Sequence, residues 1–311
     1  MVYNMKLSVA DKIKYHLVHF LLKSLAFLPL RYIESLGNII GILMLRFSKR
    51  STVRLKNNLL QTKMCNDSTI EDFSRATSKH LGQVFIETLC LSWHRSKRFN
   101  FNLCNKTIGF EAVEDAYKNN FPILFLTPHV GNFEIILKRT AYLLNKNVTV
   151  LYKPDKNPWW NQLMINGRTE DNIIPVPTDK KGVLAIFKAL KNREIVGILP
   201  DSIASQGDGV WVDFFANRVF ATTLAAKLSL IPDVKTFIVA CYRNADGFEA
   251  NYIPFSATNH DIANTVQDIY TVIEGIVRTN PEQFYWSYDR FRVPDHAPCD
   301  PKMNTNMDNE V

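Results

Sequence analysis

Cysteine is scarce and poorly placed for cross-linking. There are five (Cys65, Cys90, Cys104, Cys241, Cys299), an odd number, widely spaced and without a C-x-x-C pair. That argues against a disulfide framework and a zinc site, and for a reducing compartment. Neither G-x-G-x-x-G nor G-x-x-x-x-G-K-[ST] occurs, so nucleotide binding has no motif to rest on. There is no internal repeat, low-complexity segment or interdomain linker. No apolar run reaches the ~20 residues that a spanning helix needs. A cleavable signal peptide is not expected either, because the first apolar run starts late, carries Lys23 and lacks a small-residue cleavage site. Acidic charge is also in short supply: 30 Asp and Glu face 37 Lys and Arg, for a net charge of +7 and a pI of about 9.1. Such a balance suits an anionic partner: phospholipid headgroups, a phosphorylated glycolipid, an acidic carrier protein or nucleic acid.

What is present is an ordinary globular composition, 46% hydrophobic and 22% charged over 311 residues. That length holds one large α/β domain or two small ones. The chain is organised around 121–139, FPILFLTPHVGNFEIILKR. The apolar run Ile123-Leu124-Phe125-Leu126 reads as a buried strand that ends in Thr127-Pro128-His129. Pro128 stops the strand, Gly131 permits a tight turn, and a helix begins near Phe133-Glu134. Carboxyl ends of strands are where α/β proteins gather active-site residues. His129 in the turn and Glu134 in the first helical turn can converge. A neutral imidazole would then act as general base on a hydroxyl, with the carboxylate fixing its tautomer. No Ser or Cys elbow accompanies the histidine, which favours direct attack by a substrate hydroxyl over a covalent enzyme intermediate. The spacing alone is weak, since about one histidine in ten would have a carboxylate five residues on by chance. Its context of strand, proline, histidine, Gly-Asn and helix gives it weight.

Residues 12–50 are the most apolar part, with runs at His16–Leu28 and Ile39–Leu45 punctuated by Lys14 and Lys23. The expectation is a pair of membrane-embedded or interfacial helices, with one marginal spanning helix as the alternative and two buried core helices as the plain reading. Arg46, Lys49, Arg50, Arg54 and Lys56 follow directly, a cationic cluster of the kind an anionic bilayer surface attracts. Residues 68–97 read as helical, with Trp93-His94-Arg95 as a possible interfacial anchor or simple packing. From about 105 the pattern alternates. Strands are expected at 122–127, 147–152, 172–176, 195–199, 235–241 and 248–253, and helices at 133–145, 159–167, 181–192, 219–230 and 261–279. The fold class that follows is α/β, a mostly parallel sheet flanked by helices, with an apolar N-terminal helical region that associates with membrane. Residues 1–60 form that region and its basic segment, 61–294 the main domain, and 295–311 a polar tail expected to be disordered.

One further piece is expected on the same sheet edge, and others follow it in the chain. Tyr152-Lys153-Pro154 and Asn157-Pro158-Trp159-Trp160 make a rigid loop whose lysine could meet a phosphate. Its tryptophans could line an acyl slot or simply pack. Arg168 is a fork-shaped donor suited to phosphate or carboxylate. Gly197-Ile198-Leu199-Pro200-Asp201 repeats the strand–proline–polar design, and Asp201 could orient a donor or contact substrate. Gly207-Asp208-Gly209 then leads into an aromatic run, and Thr222-Thr223 opens a helix.

In this order the pieces resemble the late lipid A biosynthesis acyltransferases of Gram-negative bacteria, the lauroyl/myristoyl acyltransferase family. The matching stretches are TPHVGNFE (127–134), YKPDKNP (152–158), GR (167–168), ILPDSIASQGDGVWVDFFANRVFATT (198–223) and NPEQFYWSYDRFR (280–292). The resemblance spans nearly the whole chain. It implies transfer of a fatty acyl group from acyl carrier protein to a hydroxyl on an acyl chain of a Kdo-bearing lipid A precursor, at the cytoplasmic face of the inner membrane. By position it makes His129 the general base and Glu134 its partner. It places Lys153, Arg168 and Asp201 in substrate binding. It calls for no metal or other cofactor beyond the acyl-carrier co-substrate, and for membrane phospholipids but no nucleic acid as partners. Three departures stand out: Lys153 replaces an arginine, Ala216 a glycine, and Trp286-Ser287-Tyr288-Asp289-Arg290 the usual Trp-x-His-[Arg/Lys]-Arg. Two rivals remain from the residues alone: a glycerophospholipid or phosphatidylinositol-mannoside acyltransferase, and a non-catalytic lipid- or carrier-binding protein.

Overall fold

Residues 123–126 (β2) and 195–198 (β5) are buried along their whole length, as strands covered on both faces must be. They form the middle of a seven-stranded sheet ordered β1-β9-β8-β2-β5-β3-β4. The remaining strands are β1 (104–108), β3 (148–152), β4 (173–177), β8 (235–244) and β9 (247–255). Every neighbouring pair is parallel except β8–β9, so β8, β2, β5, β3 and β4 all end on one edge. The computed structural model describes residues 7–93, 103–169, 172–204 and 208–304. His94 and Arg95 of the suggested aromatic anchor, Gly207 of the glycine loop, and 305–311 lie outside them.

Two apolar layers sandwich the sheet. On one face lie α5 (110–118) and α6 (133–144), the latter burying Ile136, Leu137 and Ala141. On the other lie α8 (180–191), α9 (224–229) and α10 (262–279), the last burying Ile269, Tyr270, Ile273 and Val277.

The N-terminal third is helical: α1 (9–25), α2 (30–47), α3 (49–61) and α4 (70–91). α2 and α4 pack at close range because glycines face each other. A Cβ on Gly41 would lie 1.9 Å from the Ser78 carbonyl oxygen, and one on Gly82 would lie 2.1 Å from that of Gly37. The basic segment forms α3, whose Leu55 and Leu59 join the apolar layer under the sheet. Arg54 pairs with Asp289 at 3.0 Å, and Lys56 pairs with Glu71. α7 (158–169) packs on α1 and α4 through Leu163, and Trp160 stacks on Phe85, so the tryptophans pack against the helical layer. Among the described residues no helix is long and apolar enough to cross a membrane. The spanning alternative for residues 12–50 is therefore set aside.

Two further expectations differ from the structure. Residues 295–304 are not loose. Arg218 holds Asp300 through two hydrogen bonds of 2.8 and 3.1 Å, and the Trp211 indole donates to the Pro298 carbonyl at 2.9 Å. The helix expected over 219–230 starts only at Leu224, because 217–222 (β7) pairs antiparallel with 209–214 (β6). Val219 and Thr222 are β-branched and Phe220 is aromatic, and the pairing register wins over the helical spacing.

Phe215 and Ala216, the two-residue loop of that hairpin, both lie in the left-handed region, at φ 50° and 56°. The primed turns that fit a twisted hairpin demand this, and glycine meets the demand without a Cβ penalty. Ala216→Gly should therefore raise stability by about 1 kcal/mol or less, the relief of the Cβ strain exceeding glycine's extra unfolded-state entropy. Chemical denaturation of the two proteins checks this; a lower midpoint for the variant would contradict it.

Candidate active site

The carboxyl ends of β2 and β5 lie side by side and deliver two turns to one place. Thr127 donates its N–H to Ile198 at 2.9 Å, joining the turns where the strands stop. Beyond that point the loop 128–132 is fixed by its own backbone. Gly131 N–H donates to Gln283 O at 2.8 Å, Asn132 N–H to Cys241 O at 2.8 Å, and His129 O accepts from Tyr285 N–H at 3.0 Å. Gly131 has φ 58°, and a Cβ there would lie 1.9 Å from the Cys241 oxygen. Only glycine permits this approach to β8.

His129 is held by Asp201. Its Nδ1 lies 2.8 Å from Asp201 Oδ1, and its backbone N–H donates to Oδ2 at 3.2 Å. Asp201 is fully buried, and Arg290 compensates it: Nη2 donates to Oδ2 at 2.7 Å and Nε to the Asp201 carbonyl at 3.1 Å. Burial alone would raise the Asp201 carboxyl. The His129 and Arg290 interactions outweigh it and hold the group well below the ordinary carboxylate range. An ionised Asp201 accepts the Nδ1 proton, which leaves Nε2 as the basic nitrogen. Phe133, Tyr285 and Tyr288 surround the imidazole at ring distances of 5.0, 5.9 and 6.2 Å, Tyr288 lying nearly parallel to it.

Glu134 does not take the position expected for it beside the imidazole Nδ1. Both of its oxygens are engaged by Arg168, Nε donating to Oε2 at 3.1 Å and Nη2 to Oε1. The geometry explains the difference. Glu134 is the second residue of α6 and faces the last turn of α7, where Arg168 lies, whereas the Nδ1 side of His129 is filled from β5. Burial favours a neutral Glu134, but Arg168 prevails and lowers its pKa, with Lys138 and His129 adding to the effect. Lys138, buried on α6, reaches Ser92 Oγ at 2.5 Å and Gly167 O at 3.2 Å, which fixes the end of α7. Of the five residues expected at the site, the structure thus brings together His129 with Asp201 and Glu134 with Arg168. Lys153 lies exposed just beyond β3, joined to neither pair.

The sequence marks Tyr288 and Arg290 only as part of a departure from the family pattern, and does not mark Glu87. The first two lie in NPEQFYWSYDRFR, where Arg290 and Arg292 are the available signal for a buried counter-charge. Glu87, on α4, carried none. Its Oε2 accepts from Asn132 Nδ2 at 3.0 Å and from Arg243, which also donates to Glu34 on α2 at 2.7 Å. Asn132 caps α6 by accepting the Ile135 N–H, so Glu87 braces the His129 loop from below. Two carboxylates share one guanidinium here. Burial lifts Glu87 from 4.5 to about 7, against the pull of Arg243 and Asn132. His80, on the same helix, cannot serve as a second cation: burial first and Arg243 next push it down to about 3.

Because the folded chain holds the Glu87 proton more tightly than the unfolded chain, that stability is complete below about pH 4.5. It is lost as pH rises through about 7. His80, held deprotonated in the fold, contributes the opposite trend up to about pH 6.5, so the test is a difference: as pH rises from 5 to 8, the melting temperature of the wild type should fall relative to that of Glu87→Gln. An equal slope in both proteins would show that Glu87 does not titrate there.

No curated protein matches the chain. The family model for bacterial lipid A biosynthesis acyltransferases matches residues 4–293, nearly its whole length. The chain, with its histidine loop at the carboxyl edge of a mostly parallel sheet, belongs to that family of acyltransferases.

Proposed function

We propose that the protein transfers a fatty acyl group from the thioester of acyl carrier protein to a hydroxyl on an acyl chain of a lipid A precursor, working at the cytoplasmic face of the inner membrane. The observation that carries the mechanism is the 2.8 Å contact between His129 Nδ1 and a buried, compensated Asp201. His129 Nε2 takes the proton of the acceptor hydroxyl as its oxygen attacks the thioester carbonyl. The tetrahedral intermediate collapses by breaking the C–S bond, and the imidazolium returns the proton to the departing thiolate. Asp201 fixes the tautomer and stabilises the imidazolium in between.

The developing oxyanion needs a donor, and the loop does not supply one. The N–H groups of His129, Val130, Gly131 and Asn132 are all committed, to Asp201, Pro128, Gln283 and Cys241. Arg168 is the stronger candidate. Glu134 uses its Nε and Nη2, and Nη1 has no hydrogen-bond partner among the described residues. In this reading Glu134 acts through Arg168, which it orients, and Lys153 at the sheet edge meets a substrate phosphate.

Exposed side chains support a membrane-surface location. α1 presents Val9, Ile13, Leu17, Phe20 and Leu21 outward, and α2 presents Ile39, Leu43 and Phe47, with Phe20 and Phe47 72% and 74% exposed. Arg46, Lys49 and Arg50 surround Phe47 in sequence and are exposed with it. Apolar faces beside free cations suit a helix lying in an anionic bilayer interface.

Mass spectrometry of a Kdo-bearing lipid A precursor, incubated with the protein and acyl carrier thioesters, should show one acyl mass gain. His129→Ala should lose ~10²–10⁴-fold in rate. Asp201→Asn should lose a comparable amount, since it permits the wrong tautomer. A His129 variant with near-normal turnover would refute the assignment, and a gain only on phospholipid acceptors would redirect it. Phe20→Glu combined with Phe47→Glu should release the protein from anionic vesicles in a sedimentation assay. Unchanged sedimentation would remove the interfacial role of α1 and α2.

A further inference from the structure

Helix α8 has a face that neither the sheet nor the membrane-facing helices use. Its sequence, KKGVLAIFKALK, contains four lysines and no acid. At ~100° per residue, Lys180, Lys181, Leu184, Lys188 and Lys191 fall within a ~100° arc. The opposite side carries Gly182, Ile186, Ala189 and Leu190, which are buried against the sheet. All four lysines are exposed and form no ion pair among the described residues. Leu184, in the middle of the stripe, is 67% exposed. The nearest acid, Asp179, is committed as the helix cap, accepting the Gly182 N–H at 2.9 Å.

The stripe also starts at the right place. α8 follows β4, whose carboxyl end shares the sheet edge with His129. Thr178 N–H donates to Tyr152 O at 3.0 Å, so the start of α8 abuts Lys153, with Lys156 nearby and likewise exposed. Three strand spacings, ~14 Å, separate β4 from β2 across the sheet. The helix then runs away from the active-site edge for ~18 Å.

We propose that this face of α8, with Lys180, Lys188 and Lys191 around Leu184, is the docking surface for an acidic helix of the acyl carrier protein that brings the donor. The inference rests on the carrier-dependent reading above. Charge complementarity selects the occupant: an acidic helix laid along α8 meets Lys180 and Lys181 at one end of the stripe and Lys188 and Lys191 at the other, and one apolar side chain meets Leu184 between them. A bilayer is the poorer fit. It would call for a wide apolar stripe, which α1 and α2 have and α8 lacks. Docked there, the carrier stands beside the sheet edge, and its flexible pantetheine arm covers the lateral distance to His129. Carrier and lipid then occupy different surfaces of the molecule, so the carrier can arrive and leave while the acceptor stays in place.

The test is the double charge reversal Lys188→Glu with Lys191→Glu, far from the reacting groups. Transfer is measured with two donors, acyl carrier thioester and acyl-pantetheine, with His129→Ala alongside. The expected result is a KM for the carrier-borne donor raised at least about tenfold with kcat retained, and unaltered transfer from acyl-pantetheine. The wild-type KM should rise with salt, and that of the variant much less. An unchanged carrier KM, while His129→Ala is inactive, would overturn the docking surface and leave the catalytic reading standing. So would an equal loss with both donors. If wild type uses neither donor, the catalytic reading falls instead, and fluorescence anisotropy of labelled acyl carrier protein decides the surface alone: binding abolished by the reversal supports it, and equal or absent binding overturns it. Loss of anionic-vesicle binding with an unchanged carrier KM would assign the lysines to lipid and likewise overturn the proposal.

Discussion

A buried carboxylate without a partner costs several kcal/mol, and Asp201 is buried completely. Much of the architecture around the site meets that one requirement. His129 supplies two contacts and Arg290 a third, so the turn after β2 and the segment after α10 must both reach the end of β5. Arg290 in turn lies over Phe284 and Tyr288, at 4.2 and 5.1 Å from their ring centres, and is itself buried. Its segment is pinned from the other side by Asn58 of α3, whose Nδ2 donates to the carbonyls of Trp286 and Tyr288 at 2.7 and 2.8 Å. The third N-terminal helix is thus tied to His129 through one amide and one guanidinium.

Two other carboxylate–guanidinium systems flank the same loop. Glu134 and Arg168 join its far end to α7, while Glu87 and Arg243 join Asn132 to α4, α2 and β8. They differ in electrostatic balance. The first is a bidentate pair with Lys138 beside it, which favours an ionised carboxylate. In the second, two acids share one cation, and burial leaves Glu87 poised near neutrality. The arrangement also links the N-terminal helices to the His129 loop: α2 and α4, locked together by facing glycines, cannot shift relative to β8 without straining the contact of Glu87 with Asn132, the residue that caps α6.

Sequence pattern reached the sheet's central strands and the placement of His129 and Asp201 at strand ends, because these follow from local rules. Four buried residues, then a proline, then a polar residue specify a strand end at both 123–129 and 195–201. Pairing across the site was not legible. His129 and Glu134 are near in sequence, yet 72 positions separate His129 from Asp201 and 34 separate Glu134 from Arg168, partners chosen by strand order rather than spacing. The hairpin 209–222 was hidden for a related reason. Val219, Phe220 and Ala221 carry a pattern that fits a helix as well as a strand, and only the partner strand decides. Glu87 gave no signal, since a glutamate in a helix reads as a solvated side chain until the fold buries it.

The departures from the family pattern are tied into the structure in different ways. Ala216 sits where a primed turn requires positive φ and carries a Cβ there without evident compensation. Tyr288, standing in place of a histidine, is instead built in. Its hydroxyl accepts the Ile203 N–H at 3.3 Å, and its ring lies over His129 at an interplanar angle of 15°. Asp289, standing in place of a cation, has its own counter-ion in Arg54 at 3.0 Å, so the added acid is neutralised by the basic segment that follows α1 and α2. A second titratable imidazole beside His129 would compete for protons and add charge next to the base; a phenol stacked at the same position keeps the wall polar at its rim and neutral at its face. The exchange leaves Asp201 as the carboxylate on Nδ1 and alters the shape and charge of the wall beside the imidazole; in the mechanism proposed above its consequence falls on substrate preference rather than on proton transfer.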